Sequence, residues 1–171
     1  ARHSAAAVTV IVSDDVDTEE QEGWLLGGQV GADIVDSGLR LRSTRDYVRR
    51  LPDLPEARFL AAAAALDDRI YVLGGRNFSE VAQGWAFDPE TGAYEELPPL
   101  ASLQNGPGAV AVGDRVYLVG GADGFGNSVA TNRAWDPALH EWVELAPMTS
   151  ARRDVAAVAL GTEIYVIGGD N

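Results

Sequence analysis

Cysteine is absent from the 171-residue chain, which removes disulfides and thiolate metal sites and leaves no mark of the redox compartment. Lysine is absent as well, since all 13 basic residues are arginine. We read that as the habit of a high-GC or salt-adapted genome, and it carries no mechanism. Histidine is scarce, with only His3 and His140. No apolar run approaches the roughly 18 residues of a membrane span, and Ala1-Arg2-His3-Ser4 lacks the charged-then-apolar order of a signal peptide. The expectation is a soluble chain, its compartment open and secretion included. A start without Met suggests a processed terminus or a piece of something longer. Thirteen bases against 26 acids give 13 − 26 = −13, a charge that repels phosphate backbones and anionic bilayers. The expected partners therefore include neither nucleic acid nor membrane. There is also no P-loop, no dinucleotide fingerprint and no Gly-x-Ser-x-Gly elbow, and no cofactor is expected.

What the chain does have is a repeat. Four segments end in paired glycines: Gly23 to Gly28, Ile70 to Gly75, Val116 to Gly121 and Ile164 to Gly169. The pairs begin at 27, 74, 120 and 168, spacings of 47, 46 and 48. Phe87-Asp88-Pro89 recurs 48 residues on as Trp135-Asp136-Pro137, and Tyr94 recurs as Trp142 at the same interval. Each unit reads as four short strands. A small-residue run (Ala5 to Val10, Ala61 to Leu66, Ala109 to Val112, Val155 to Leu160) turns into the β-branched and aromatic run that ends in Gly-Gly. A third strand follows (Val81 to Phe87, Val129 to Trp135), closed by an Asp-Pro turn, and then a fourth around Tyr94 or Trp142. The five alanines from Ala61 to Ala65 favour helix by propensity. The same slot one unit later holds Gly106-Pro107-Gly108, which no helix interior accepts, so a strand is expected at both places.

These landmarks resemble the Kelch repeat: apolar residues before a double glycine, an aromatic before Asp-Pro, and a Trp or Tyr about six residues further on. The resemblance, which suggested a bacterial-type member, implies an all-β Kelch-type β-propeller segment of three four-stranded blades plus half of a fourth. The expected limits are about 1–54, 55–101, 102–148 and, for the half blade, 149–171. Blade 1 departs from the pattern. Its first hairpin is stretched by Ser13 to Glu22, its third strand (Leu39 to Thr44) lacks the aromatic-Asp-Pro turn, and Val48 stands where Tyr94 and Trp142 align. Propellers close with about 4–8 blades, so the remainder is expected from a longer chain or a second copy.

In a meander, successive turns alternate between the two faces of the disc. One face gathers the lead-ins to each first strand, with Arg2, His3, Arg58, Gln104, Asn105, Arg152 and Arg153, and the loops after each Gly-Gly, with Arg76, Asn77, Phe78, Phe125, Asn127 and Asp170. Kelch proteins commonly bind partners on this face, and the resemblance implies the same here. Arg58, Gln104 and Arg152 each stand sixteen residues before the first glycine of their pair, and Arg2 is displaced from that place by the insertion. Converging guanidiniums suit an acidic peptide or a sugar acid. Pairing of these arginines with Glu56, Glu80 and Asp154 inside the fold is the equal alternative. The recurring aromatics are read as core, and a loop aromatic such as Phe78 or Phe125 as packed under its turn or as a contact.

The acidic run from Asp14 to Glu20 lacks the glycine and distant Glu of an EF-hand loop and reads as a solvated insertion, so no metal is expected. His3 and His140 fall on opposite faces and share no metal. Copper-radical sugar oxidases of the Kelch class need histidine ligands and a Cys-linked Tyr, which this segment lacks. A sugar-acid isomerase of the same class, with His3 as base beside Arg58 and Arg152, is the alternative to a binding module.

Overall fold

The computed structural model describes residues 10–12, 22–30, 33–42, 47–77 and 83–171, with side chains described for residues 50–77 and 83–171. The described residues form fourteen strands and no helix. Three four-stranded antiparallel meanders follow one another, and a hairpin ends the series. The first sheet is β1 (Val10–Val12), β2 (Glu22–Val30), β3 (Asp33–Arg42) and β4 (Tyr47–Leu51). The second is β5 (Phe59–Leu66), β6 (Arg69–Arg76), β7 (Trp85–Phe87) and β8 (Tyr94–Glu96). The third is β9 (Gly108–Val112), β10 (Arg115–Val119), β11 (Asn132–Asp136) and β12 (Glu141–Glu144). The hairpin is β13 (Ala156–Leu160) and β14 (Glu163–Ile167). Strand order within each sheet equals chain order. These are the blades the repeat predicts.

The third strands are shorter than the sequence suggests. Pairing with β6 begins at Trp85 and with β10 at Asn132; Val129 to Thr131 lie before that ladder, Gln83 and Gly84 before the other, and Val81 lies outside the described residues. In the first sheet the third strand runs earlier than Leu39 to Thr44, over Asp33–Arg42, with a register shift between Leu26 and Gly28. The acidic run from Asp14 to Glu20 lies outside the described residues.

Alternation along β6 sends its two sides to two different seams. Ile70 and Val72 pack with Leu51, Leu54 and Phe87, while Tyr71 and Leu73 pack with Leu97 of their own blade and with Val116, Leu118 and Trp135 of the next. A strand buried on both sides needs no polar face, and so β6 reads without a charge between its exposed terminal arginines, from Ile70 to Gly75. The alanine run is strand for a steric reason. First strands touch one another along the series, β1 to β5 to β9 to β13, and a methyl group added at Gly108 would stand 2.9 Å from the Ala157 side chain. Only small residues fit there, and packing overrides helix propensity.

The Asp-Pro turns repeat one device. The Asp88 carboxylate accepts the Glu90 and Thr91 amides at 2.8 and 3.1 Å, and Asp136 accepts those of Ala138 and Leu139 at 3.1 and 3.2 Å. The fourth-strand aromatics reach back across the seam. Tyr94 Oη donates to the Pro52 carbonyl at 3.1 Å and Trp142 Nε1 to the Pro98 carbonyl at 2.9 Å, two positions one repeat apart.

Candidate interaction face

The lead-in to each described first strand from β5 onward is a three-residue unit whose backbone is bonded both to its own blade and to the blade before it or after it. Its first residue turns inward onto its own blade. Arg58 Nη1 donates to the Gly74 carbonyl at 3.2 Å, Gln104 Nε2 to that of Gly120 at 2.6 Å, and Arg152 Nη1 to that of Gly168 at 2.9 Å. The same residue's carbonyl accepts from the preceding blade: Gly75 N–H reaches Gln104 O at 2.9 Å and Gly121 N–H reaches Arg152 O at 2.8 Å. The paired glycines follow from that approach. Gly74 and Gly120 are left-handed, with φ of 64° and 66°, and an added Cβ would stand 2.5 Å from Gln104 O and Arg152 O respectively. No side chain fits.

The second residue of the unit pairs with the residue after the glycine pair: Phe59 with Arg76, Asn105 with Ala122, and Arg153 with Asp170. The third is left-handed in every blade where it is described, with φ of 56° at Leu60, 64° at Gly106 and 54° at Asp154. Its amide donates to the matching carbonyl one blade back, Gly106 to Leu60 at 2.9 Å and Asp154 to Gly106 at 2.7 Å.

The predicted contact residues therefore divide. Arg58 and Gln104 are 0% exposed, so neither points at a mouth. Arg58 also donates to Gln83 O at 2.7 Å and lies 3.5 Å from the Glu56 carboxylate. Burial lowers its guanidinium to about 10 while Glu56 opposes the shift, which leaves it charged at neutral pH. Gln104 Oε1 accepts from Arg133 Nη1 at 2.7 Å. The structure gives these two side chains an internal, blade-holding use; Glu56 lies beside Arg58 within the same lead-in and not across a blade seam, and Glu80 lies outside the described residues. Arg152 is half-buried on Gly168 and Ser150. Arg76 is exposed, its guanidinium 5.6 Å from the Phe59 ring centre, and Asn77 donates to Glu56 at 2.7 Å. Arg2, His3 and Phe78 lie outside the described residues.

The structure does bring Phe125, Asn127 and Arg153 together. The loop Asp123-Gly124-Phe125-Gly126-Asn127 is built on one carboxylate: Asp123 Oδ1 accepts the Phe125 and Asn127 amides, both at 2.9 Å, and Oδ2 accepts Asn127 Nδ2 at 3.1 Å. Those bonds hold the Asp123 carboxyl below its ordinary value, the Asn127 side chain contributing most. Arg153 Nη1 braces the loop from the next blade through Gly126 O at 2.8 Å. At its tip Phe125 is 95% exposed, so it does not fold under its turn. Asp123 was not among the residues singled out from sequence. An Asp two residues before a loop aromatic, with glycines on either side of that aromatic, is the Asx-turn signal that marks it.

On the opposite face, a cavity of about 400 Å³ opens between the second and third blades. Buried Tyr71 and Trp135 form its floor, with His140 at 5.1 Å from the Trp135 ring and Asp67, Asp68, Arg69 and Glu95 at its rim. The described residues hold no group of three or more His, Asp or Glu side chains placed to bind a metal ion.

Three closed meanders joined by such lead-in units make this an all-β Kelch-type propeller segment. The Kelch motif profile matches residues 57–101 and 105–149, and the chain belongs to the Kelch repeat family. It is similar to a putative F-box/kelch-repeat protein of Arabidopsis thaliana, 33% identical over 106 residues, which are 58% of this chain and 30% of that protein. A second putative F-box/kelch-repeat protein of that plant is 39% identical over 90 residues, 52% of this chain and 23% of the relative. Spermatocyte protein spe-26 of Caenorhabditis elegans is 27% identical over 110 residues, 59% of this chain and 19% of its own length. The chain thus spans less than a third of these curated relatives. They come from a plant and a nematode, and none of the three is bacterial. Kelch repeats are, in general, protein-interaction modules.

Proposed function

We propose that this segment binds a partner protein through the face formed by the lead-ins and the loops after each Gly-Gly, with Phe125 as the anchor. The carrying observation is the 95% exposure of Phe125 on a loop braced by Asp123 and Arg153. A large aromatic held in place before binding loses little entropy on docking and gains its whole buried area. Asn127 lies in the same loop, and Asn105 pairs with Ala122 just before it. The remainder of the propeller comes from further blades, in a longer chain or a second copy.

The preference for an acidic peptide or sugar acid drew on converging guanidiniums. Arg58, Arg152 and Arg153 each donate from Nη1 to a backbone carbonyl within the fold, so recognition on this reading is apolar at its centre, and the partner offers a recess for one aromatic ring. The isomerase alternative needs His3 as base and has no observation in its favour among the described residues.

The test is site-directed photo-crosslinking from position 125 in an extract of the source organism, with exposed Glu163 as the control position. The expected result is one protein adduct specific to position 125, whose purified component binds the native chain and loses at least tenfold in affinity against Phe125→Ala. Equal binding of the variant overturns the reading.

A further inference from the structure

The cavity between the second and third blades has a rim that the repeat alone does not explain. In the β5–β6 turn Asp67 is left-handed, with φ of 52°, and in the β11–β12 turn so is His140, with φ of 55°. Counting from the glycine pairs, the place of Asp67 is taken in the third blade by Gly113 and in the hairpin by Gly161, with φ of 61° and 63°. Counting from Tyr94 and Trp142, the place of His140 is taken in the second blade by Gly92, with φ of 76°. Glycine adopts this conformation without steric cost, and all three equivalents use it. Among the described residues, side chains occupy these two places only where they border the cavity.

The mouth carries unbalanced negative charge. Glu95 is held by Arg69, whereas Asp67 and Asp68, both exposed, make no ion pair or side-chain hydrogen bond among the described residues. A recess between packed walls focuses such a field, and the net charge of −13 adds to it. The floor lacks an acceptor. Trp135 is 1% exposed and lines the cavity, and its indole N–H has no hydrogen-bond partner. The Tyr71 hydroxyl beside it feels the indole electrostatically but closes no hydrogen bond with it. A buried donor without an acceptor is costly. An acceptor brought into the cavity is therefore favoured at its floor, as a cation is at its mouth. His140 stands edge-on to Trp135 and walls one side.

We propose that this cavity binds an arginine or lysine residue of a partner polypeptide, the side-chain cation meeting Asp67 and Asp68 while a carbonyl of the same segment enters toward Trp135. A volume of about 400 Å³ admits one such residue, and the polar mouth does not suit a large apolar group. The site lies on the face opposite Phe125, so the two proposals fail separately.

Proton–nitrogen correlation NMR of the indole N–H signals, recorded while the native chain is titrated with acetyl-Gly-Arg-Gly-amide or acetyl-Gly-Glu-Gly-amide, tests it. The expected result is a saturable displacement of the Trp135 signal by the arginine peptide in the millimolar range, weaker with added salt and absent with the glutamate peptide. The signal of Trp85, which does not line the cavity, is expected to stay still. An Asp67→Gly, Asp68→Asn variant is expected to lose at least tenfold in affinity with no fall in urea midpoint, because glycine is the residue of the equivalent turns. Phe125→Ala is expected to bind the peptide as the native chain does. A Trp135 signal that the arginine peptide does not move, one that the glutamate peptide moves equally, or an unchanged affinity in the double variant overturns the proposal.

Discussion

The amide of Gly106 donates to the carbonyl of Leu60 at 2.9 Å, and both residues have left-handed backbone. The bond runs from one blade to the blade before it, and Asp154 makes the same bond to Gly106. For leucine the conformation costs about 1–2 kcal/mol, a cost the fold accepts because the turned peptide links two sheets that share no strand pairing. The blades are thus joined at their inner ends by backbone, with the side chains of Arg58 and Gln104 closing the loop onto the glycine pairs.

Gly120→Ala tests that close approach. The added methyl would stand 2.5 Å from a backbone carbonyl, which cannot move without opening the seam. The control is Gly113→Ala, at a similar φ of 61° but with nothing within 4 Å. The control is expected to lose about 1–2 kcal/mol from backbone conformation alone, and Gly120→Ala at least twice that, both read from urea midpoints. Equal losses would mean that the seam yields freely.

Gln104→Leu removes the donor to Gly120 O and the acceptor for Arg133, both buried. An unmade buried hydrogen bond costs about 1–3 kcal/mol, and that loss is expected with an unchanged urea m-value. Arg152→Leu at the matching place is expected to cost less than half as much, because its bond to Gly168 is exposed and water replaces it. The reverse order would contradict the internal role given to Gln104.

Acid sensitivity follows from three turn carboxylates. Asp88 lies below its ordinary value of 3.8 through bonds from Thr91 and Glu90, and Asp123 through bonds led by Asn127. At Asp136 burial pushes upward, but the Leu139 amide, Arg115 and the Ala138 amide outweigh it. A carboxyl whose folded value is depressed binds its proton more readily in the unfolded chain. Its contribution is complete above the unfolded value and is lost as pH falls through the folded one. The thermal midpoint is expected to be flat above about pH 5 and to fall below about pH 4, and an Asp88→Asn, Asp136→Asn variant is expected to show a shallower acid limb. An unchanged limb would place the acid response elsewhere.

Strand order, blade count and the core role of Tyr71, Phe87 and Trp135 were legible in the sequence, whereas Tyr165 at a matching place is exposed; Gly-Gly, aromatic-Asp-Pro and the Tyr94 and Trp142 positions each report a local constraint that repeats. The matching places of Arg58, Gln104 and Arg152 were legible too, but their direction was not. Spacing shows that three side chains share an environment, and whether it faces solvent or the neighbouring blade depends on backbone carbonyls contributed sixteen residues away. The left-handed trio escaped for a similar reason, since Leu, Gly and Asp have no composition in common and only the inter-blade bond selects their conformation. Phe125 was visible as a loop aromatic, and its outward direction came from Asp123.

The joining of blades by backbone is tested most directly by amide hydrogen exchange, residue by residue. Gly75, Gly106, Gly121 and Asp154 lie outside the strand ladders or at their ends, and each amide donates across a seam. They are predicted to exchange at least a hundredfold more slowly than the amide of Asp114, in the exposed β9–β10 turn, and within about tenfold of the central β10 amides. Exchange of all four at the Asp114 rate would contradict the account.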